Sequence, residues 1–129
     1  MENKIILGYW PIRGFGQIPR LLLAYSGLEF EEKRYTDWKE WFEKDKQGLG
    51  FDFPNLPYIT DGDFKTSESQ AIMRYIILKS NKLDLIGKDL KDETIVRELE
   101  GVFQDAYFGN KIHGLFFMEN YQELIPGAL

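Results

Sequence analysis

Cysteine is absent from the 129 residues. That one absence removes disulfides, thiolate metal sites and cysteine nucleophiles together. Histidine is nearly absent too: a single residue, His113, excludes a zinc site built from histidines, and no metal is expected. No carboxylate or serine stands at a telling distance from His113, so it is read as structural or exposed and not as a base. No uninterrupted apolar run approaches the ~20 residues that a membrane span needs. A basic excess is also missing. Sixteen Lys and Arg against 21 Asp and Glu leave a net charge of −5, which argues against a nucleic-acid surface. The opening Met1-Glu2-Asn3-Lys4 lacks both the apolar core of a secretory signal and the Arg/Ser-rich character of a transit peptide. The expected address is the cytoplasm, with an organellar assembly left open. There is no internal repeat and no low-complexity run.

What is present is apolar enough to fold. Apolar residues make up 43% and aromatics 16%, which favours filled cores and interfaces over a disordered tail. Residues 4–9 read as a short buried strand, broken by Pro11 and Gly14. Ile18, Leu21, Leu22 and Tyr25 then recur at helical spacing, with Gly27 placed to end the helix. Pro19 must lie in the first turn, since deeper it would cost about 3 kcal/mol. Residues 30–35 read as a polar edge strand. Residues 36–50 show no period, yet Trp38, Trp41 and Phe42 are too apolar for a free loop, so this segment packs over something. A third strand is entered through residues 53–59, and Asp61-Gly62 marks a hairpin returning through Phe64. Ser67 or Ser69 then caps a helix carrying Ala71, Ile72, Tyr75, Ile76 and Leu78. A polar linker follows, and Ile95, Leu99, Val102, Phe103, Ala106 and Tyr107 outline a last helix. This order predicts an α/β fold: a thioredoxin-like four-stranded mixed sheet with helices, followed by a partial all-helical domain.

Three motifs carry a resemblance. Gly8-Tyr9-Trp10-Pro11-Ile12-Arg13-Gly14 closes the first strand, residues 52–58 read Asp-Phe-Pro-Asn-Leu-Pro-Tyr, and Ser67-Glu68-Ser69 opens the helix with Ala71, Ile72, Arg74, Tyr75 and Ile76. In this order and spacing they resemble the N-terminal, thioredoxin-like domain of mu-class glutathione S-transferases. The resemblance runs from about residue 4 to 80 and continues weakly through Val96, Leu99, Glu100 and Asp105. It implies a glutathione-binding domain over residues 1–82, a linker over 83–90, and a truncated segment of the helical C-terminal domain over 91–129.

The resemblance also implies roles. Tyr9 would be the catalytic residue, its hydroxyl donating to the sulfur of glutathione and so favouring the thiolate. Outside the motif, a tyrosine ending a strand is simply a half-buried aromatic. Pro57 would be a cis-proline, turning the Leu56 backbone so that its N–H and C=O pair with the cysteinyl part of the tripeptide. Glu68, in place of the class's Gln, and Ser69 would read the γ-glutamyl end at a helix N-terminus. Trp10, Trp41, Asn55 and a lysine would hold the glycyl end, with Lys44 and Lys46 competing for that role. Asp105 would reach the glutathione of a partner subunit. Phe53 and Arg74 would lie at a dimer interface, against the plainer reading of Phe53 as a local core residue.

Two functions stay open. The first is an enzyme conjugating the glutathione thiolate to electrophiles, with glutathione as co-substrate. Only part of the helical domain is represented in the sequence, so the electrophile site is largely missing. The second is a non-catalytic transferase-fold subunit docking in a larger protein assembly. Val102, Phe103, Tyr107, Leu115, Phe116, Phe117 and Met118 cannot all pack on one small domain, so a homodimer partner or another protein chain is expected to cover the last helix. A thiol oxidoreductase of the thioredoxin superfamily is a weaker third reading, its usual mechanism ruled out by the missing cysteine.

Overall fold

Alternation in the first strand and the two prolines before the third decide how the sheet is built. The computed structural model describes residues 4–109, with side chains through Tyr107. His113 and the apolar run 115–118 lie outside the described residues. The chain forms two compact units, the first ending at Leu85 and the second beginning at Ile86.

In the first unit, β1 (Ile5–Tyr9) leads through a 3-10 turn at Gly14–Gly16 into α1 (Gln17–Ser26) and then β2 (Phe30–Arg34). A π-helical segment, Glu40–Asp45, runs into the short α2 (Lys46–Gly48). After them come β3 (Tyr58–Asp61), β4 (Phe64–Ser67) and α3 (Ser69–Lys79). The sheet order is β2-β1-β3-β4; β1 pairs parallel with β2, while β3 is antiparallel to both β1 and β4. This is the four-stranded mixed sheet that the sequence predicts, with the polar β2 at an edge.

The pleat sends alternate residues to opposite faces. Ile5, Leu7 and Ile59 pack with Leu23 of α1 and Ile72 and Ile76 of α3 into one core. Gly8 and Tyr58, one step along, are directly opposite each other across β1 and β3. Tyr58 belongs to a second core with Tyr9, Tyr35, Trp41 and Leu56, with Trp10, Leu49 and Phe51 against it. A Cβ on Gly8 would stand 2.2 Å from the Tyr58 ring, so the ring occupies the space that any larger residue would need.

Segment 36–51 does pack over something: it is fastened to the sheet by a buried polar chain. Asp45 is 5% exposed. It accepts from Lys33 Nζ and, at 2.8 Å, from the Tyr35 hydroxyl, which lies 2.9 Å from the Tyr58 hydroxyl. Lys33 is shared with Glu40 at 3.1 Å. Trp41 stacks on Tyr58 at 5.9 Å and meets Tyr35 edge-on at 5.4 Å. Burial pushes the Asp45 carboxyl up, but the bonds from Lys33 and Tyr35 outweigh it and hold the group below its usual range.

The structure decides which helix faces are buried, and it corrects the expected cap of α3. On α1, Ile18, Leu21 and Tyr25 are exposed, whereas Pro19 and Leu23 face the core. The helix is apolar on two sides, and spacing alone does not choose between them. On α3 the buried positions are Ile72, Ile76 and Ile77; Ala71 and Leu78 are exposed. Neither Ser67 nor Ser69 caps α3. Glu68 is its N-cap, without a side-chain cap bond, and the Ser67 hydroxyl donates to the Phe53 carbonyl instead. The third strand starts only at Tyr58, because Pro54 and Pro57 have no N–H to give a ladder. Three features do appear as read: Gly27 in the left-handed region ending α1, Pro19 in its first turn, and Gly62 in the two-residue turn between Asp61 and Phe64.

The second unit holds α4 (Leu90–Gln104), continued by a π-helical end, Asp105–Gly109. Asp89 caps it, its carboxylate accepting from the N–H groups of Lys91 and Asp92. None of the α4 residues is buried: Leu90, Ile95, Leu99, Val102 and Phe103 are all exposed. Among the described residues no helix is long and apolar enough to cross a membrane.

Replacing Asp45 by Asn should lower the stability at pH 7 by about 2 kcal/mol, measured by urea unfolding, since Lys33 loses a charged acceptor. The sign with pH follows from the lowered carboxyl. Its stabilisation is complete above the unfolded value near ~3.9 and is lost as pH falls through the folded one. The gap between wild type and Asp45→Asn should therefore narrow below about pH 4.

Candidate functional site

The end of β1 and the approach to β3 bring the sequence motifs together. Tyr9 is the last residue of β1 and is 5% exposed. Its hydroxyl accepts from the Phe15 N–H at 3.0 Å, and its carbonyl accepts from the Tyr35 N–H at 3.0 Å. The ring is closely walled: a Cβ on Gly16 would stand 2.3 Å from Tyr9 Cδ1, and one on Gly14 would stand 2.5 Å from the hydroxyl. Two glycines after the first strand are thus steric requirements for the position of this phenol. Arg20, from α1, stands with its guanidinium carbon 5.7 Å from the ring centroid.

Leu56 shares the buried cluster with Tyr9, and Trp10 packs against it. The Leu56–Pro57 bond is cis, as the resemblance implies. The Leu56 N–H donates to Asn55 Oδ1 at 2.9 Å, and Asn55 Nδ2 donates to Glu68 Oε1 at 2.9 Å. The Ser67–Phe53 bond anchors the same loop to the start of α3. Five residues singled out in the sequence, Tyr9, Trp10, Leu56, Asn55 and Glu68, are therefore linked by packing or hydrogen bonds, and Pro57 and Ser69 adjoin them in the chain.

Glu68 has φ 71° and ψ 116°, a region that side-chain-bearing residues rarely adopt. A conformation of this kind costs on the order of 1–3 kcal/mol and persists only where its surroundings hold it. Here the bond to Asn55 and the Ile72 N–H on its carbonyl do so. The outlier falls where the sequence places a ligand contact.

Trp41 is 2% exposed, packed between Tyr35 and Tyr58, and serves the second core. Phe42, one residue on, is half exposed, 6.1 Å from the Trp10 ring, and carries Lys46 Nζ 5.3 Å from its centroid. Both residues lie in the π-helical segment Glu40–Asp45. Of the two competing lysines, Lys46 stands with this aromatic pair, while Lys44 acts on Asp45.

The remaining candidates lie elsewhere. Phe53 is 80% exposed, which excludes its reading as a local core residue. Arg74 is half-buried on α3. Asp105 is exposed in the second unit, at the start of the π-helical end. Among the described residues no group of three or more His, Asp or Glu could hold a metal ion.

Comparison with known proteins points the same way as the motifs. Residues 6–77 match the family model described as the glutathione S-transferase N-terminal domain. Glutathione S-transferase Mu 2 of Homo sapiens is 44% identical, over 95% of this chain and 57% of its own length. A glutathione S-transferase of Tyrophagus putrescentiae is 45% identical over the whole chain and 59% of its own length. The solved structure of the glutathione S-transferase Blo t 8 superposes with a TM-score of 0.75 at 34% identity, covering 92% of this chain and 53% of that one. The chain thus spans a little over half the length of the relatives it matches.

Gly16→Ala should lower thermal stability by about 1–3 kcal/mol, because the Tyr9 ring has no open space to move into. Gly101→Ala on α4, where an added methyl meets nothing, should be neutral or stabilising. Equal melting shifts for the two would contradict the packing described.

Proposed function

The chain belongs to the glutathione S-transferase family, and from that premise we propose that its first unit binds glutathione and activates the thiol for attack on electrophiles. The carrying observation is that Tyr9 and Leu56 share one buried cluster, while Asn55 next door is bonded to Glu68 at the N-terminus of α3.

In this reading the Tyr9 hydroxyl donates to the glutathione sulfur. A hydrogen bond to the charged form lowers the thiol's pKa and enlarges the thiolate fraction. A free thiol near ~8.5 needs a fall of one or two units, roughly 1.4–2.8 kcal/mol, to be mostly thiolate at neutral pH. Leu56 offers its N–H and C=O to the cysteinyl backbone beside Pro57. Ser69 and the first N–H groups of α3 face the γ-glutamyl carboxylate, and the Glu68 carboxylate takes the ammonium. Trp10, Asn55 and Lys46 serve the glycyl end. Phe42 replaces Trp41 as the aromatic there, on the strength of its exposure and its lysine.

The assembly is a dimer in this proposal. Phe53, open to solvent, inserts into a twin subunit, with Arg74 at the same interface and Asp105 reaching the twin's glutathione. The cytoplasm is the proposed compartment. The second reading, a non-catalytic transferase-fold subunit in a larger protein assembly, draws support from α4: five large apolar side chains on a helix with no buried residue call for a covering chain.

Ultraviolet titration of bound glutathione tests the enzyme reading. The wild-type complex should show thiolate one to two units below the free thiol, and Tyr9→Phe should return it to about 8.5 with little change in affinity by calorimetry. No binding at millimolar glutathione discards the reading. Binding without turnover of a halonitrobenzene favours the subunit reading. Separately, Phe53→Ser should shift sedimentation toward the monomer; an unchanged sedimentation profile rejects Phe53 as an interface residue.

A further inference from the structure

Arg20 makes more bonds near the site than the motifs account for. It lies in α1, and its side chain is 12% exposed. Its Nη2 donates to the Trp10 carbonyl at 2.9 Å and its Nη1 to the Ile12 carbonyl at 2.6 Å. Its Nε donates to Glu32 Oε2 on β2 at 3.0 Å. The same guanidinium lies 5.7 Å from the Tyr9 ring centroid. One planar, permanently charged fork thus ties down the chain leaving β1, the neighbouring strand and the phenol itself.

We propose that Arg20 is a positioning residue for thiol activation: it fixes the Tyr9 ring and Trp10, and its charge over the ring makes the phenol a stronger donor to a thiolate. The inference rests on the glutathione reading above. A cation against the aromatic face draws electron density from the ring and leaves the O–H more polarised. The same positive charge, near the thiol, favours the thiolate by simple attraction.

Glu32 sets the size of that field. Its carboxylate accepts from Arg20 and, at 2.7 Å, from Arg34. Burial pushes this carboxyl up, yet the bonds from Arg34 and Arg20 prevail and keep it below the usual range, so it is ionised at neutral pH. Arg34 is the register partner of Tyr9 on β2, and Tyr58 and Tyr35, the latter bonded to Asp45 of the Lys33–Asp45 pair, share its buried cluster. Arg20 combines bonds to the β1 exit with a place over the Tyr9 ring.

Titrating the thiolate absorbance of glutathione on the full chain tests this. Arg20→Met should raise the apparent thiol pKa by about one unit, and Arg20→Lys, which keeps charge but loses the fork, by about half of that. Glu32→Gln, which leaves the guanidinium less neutralised, should shift it the opposite way. A merely structural role would move all three in one direction. Should Arg20→Met not fold, Arg20→Lys and Glu32→Gln decide by their opposite signs. Shifts of one sign, or none, on a wild type that does show bound thiolate overturn the role of Arg20 and leave the glutathione reading standing. A wild type with no bound thiolate overturns both.

Discussion

The antiparallel pairing of Gly8 with Tyr58 fixes more of this molecule than any other contact. Tyr58 can lie across β1 only because residue 8 has no side chain. Its hydroxyl then reaches Tyr35, which reaches Asp45, which holds Lys33, and by that chain the whole 36–51 segment is attached to the sheet. Asp45 buried without Lys33 and Tyr35 would be an uncompensated charge; together they form a satisfied network. Tyr9 follows Gly8 and Leu56 nearly precedes Tyr58, so the same register that seats the ring also sets the two proposed site residues side by side.

Much of this was legible in the sequence, for reasons specific to each element. The end of α1 was visible because Gly27 needs positive φ, and the β3–β4 hairpin because Gly62 does. The candidate site was read from motifs in which glycine and proline carry geometry. What stayed hidden depends on packing. Spacing marks an apolar helix but cannot say which of two apolar sides meets the sheet: Ile18, Leu21 and Tyr25 mark the helix, while Pro19 and Leu23 are the buried pair. Trp41 and Phe42 differ by one position in a segment whose π-helical repeat no periodic pattern reveals. Arg20 carries no sequence signal: its role arises only because two loop carbonyls, a β2 carboxylate and a phenol ring meet there.

The two units impose different demands. In the first, no buried side-chain polar atom among the described residues lacks a partner, and two cores form. In the second, α4 is well capped by Asp89 yet buries nothing. Capping of this kind contributes only about 1 kcal/mol, and an isolated helix of this length is marginal in water. The persistence of α4 in solution therefore depends on apolar cover for Leu90, Ile95, Leu99, Val102 and Phe103, whichever chain supplies it. The enzyme and subunit readings differ on what that cover is.

Within the first unit, the proposed ligand contacts are already partly satisfied by the protein. The Leu56 N–H is held by Asn55 Oδ1, and Asn55 in turn is held by Glu68. A tripeptide backbone pairing with Leu56 would exchange one hydrogen bond for another and release Asn55 from its own. The net gain from such an exchange is small, since each bond formed is set against one broken. Affinity in the proposed complex would then come chiefly from the charged ends: an ammonium on Glu68, carboxylates at the α3 N-terminus and near Lys46. Glu68 is where those two functions meet. Its carboxylate holds Asn55, and its backbone, at positive φ, leads directly into α3, whose first N–H groups the proposal assigns to the ligand carboxylate.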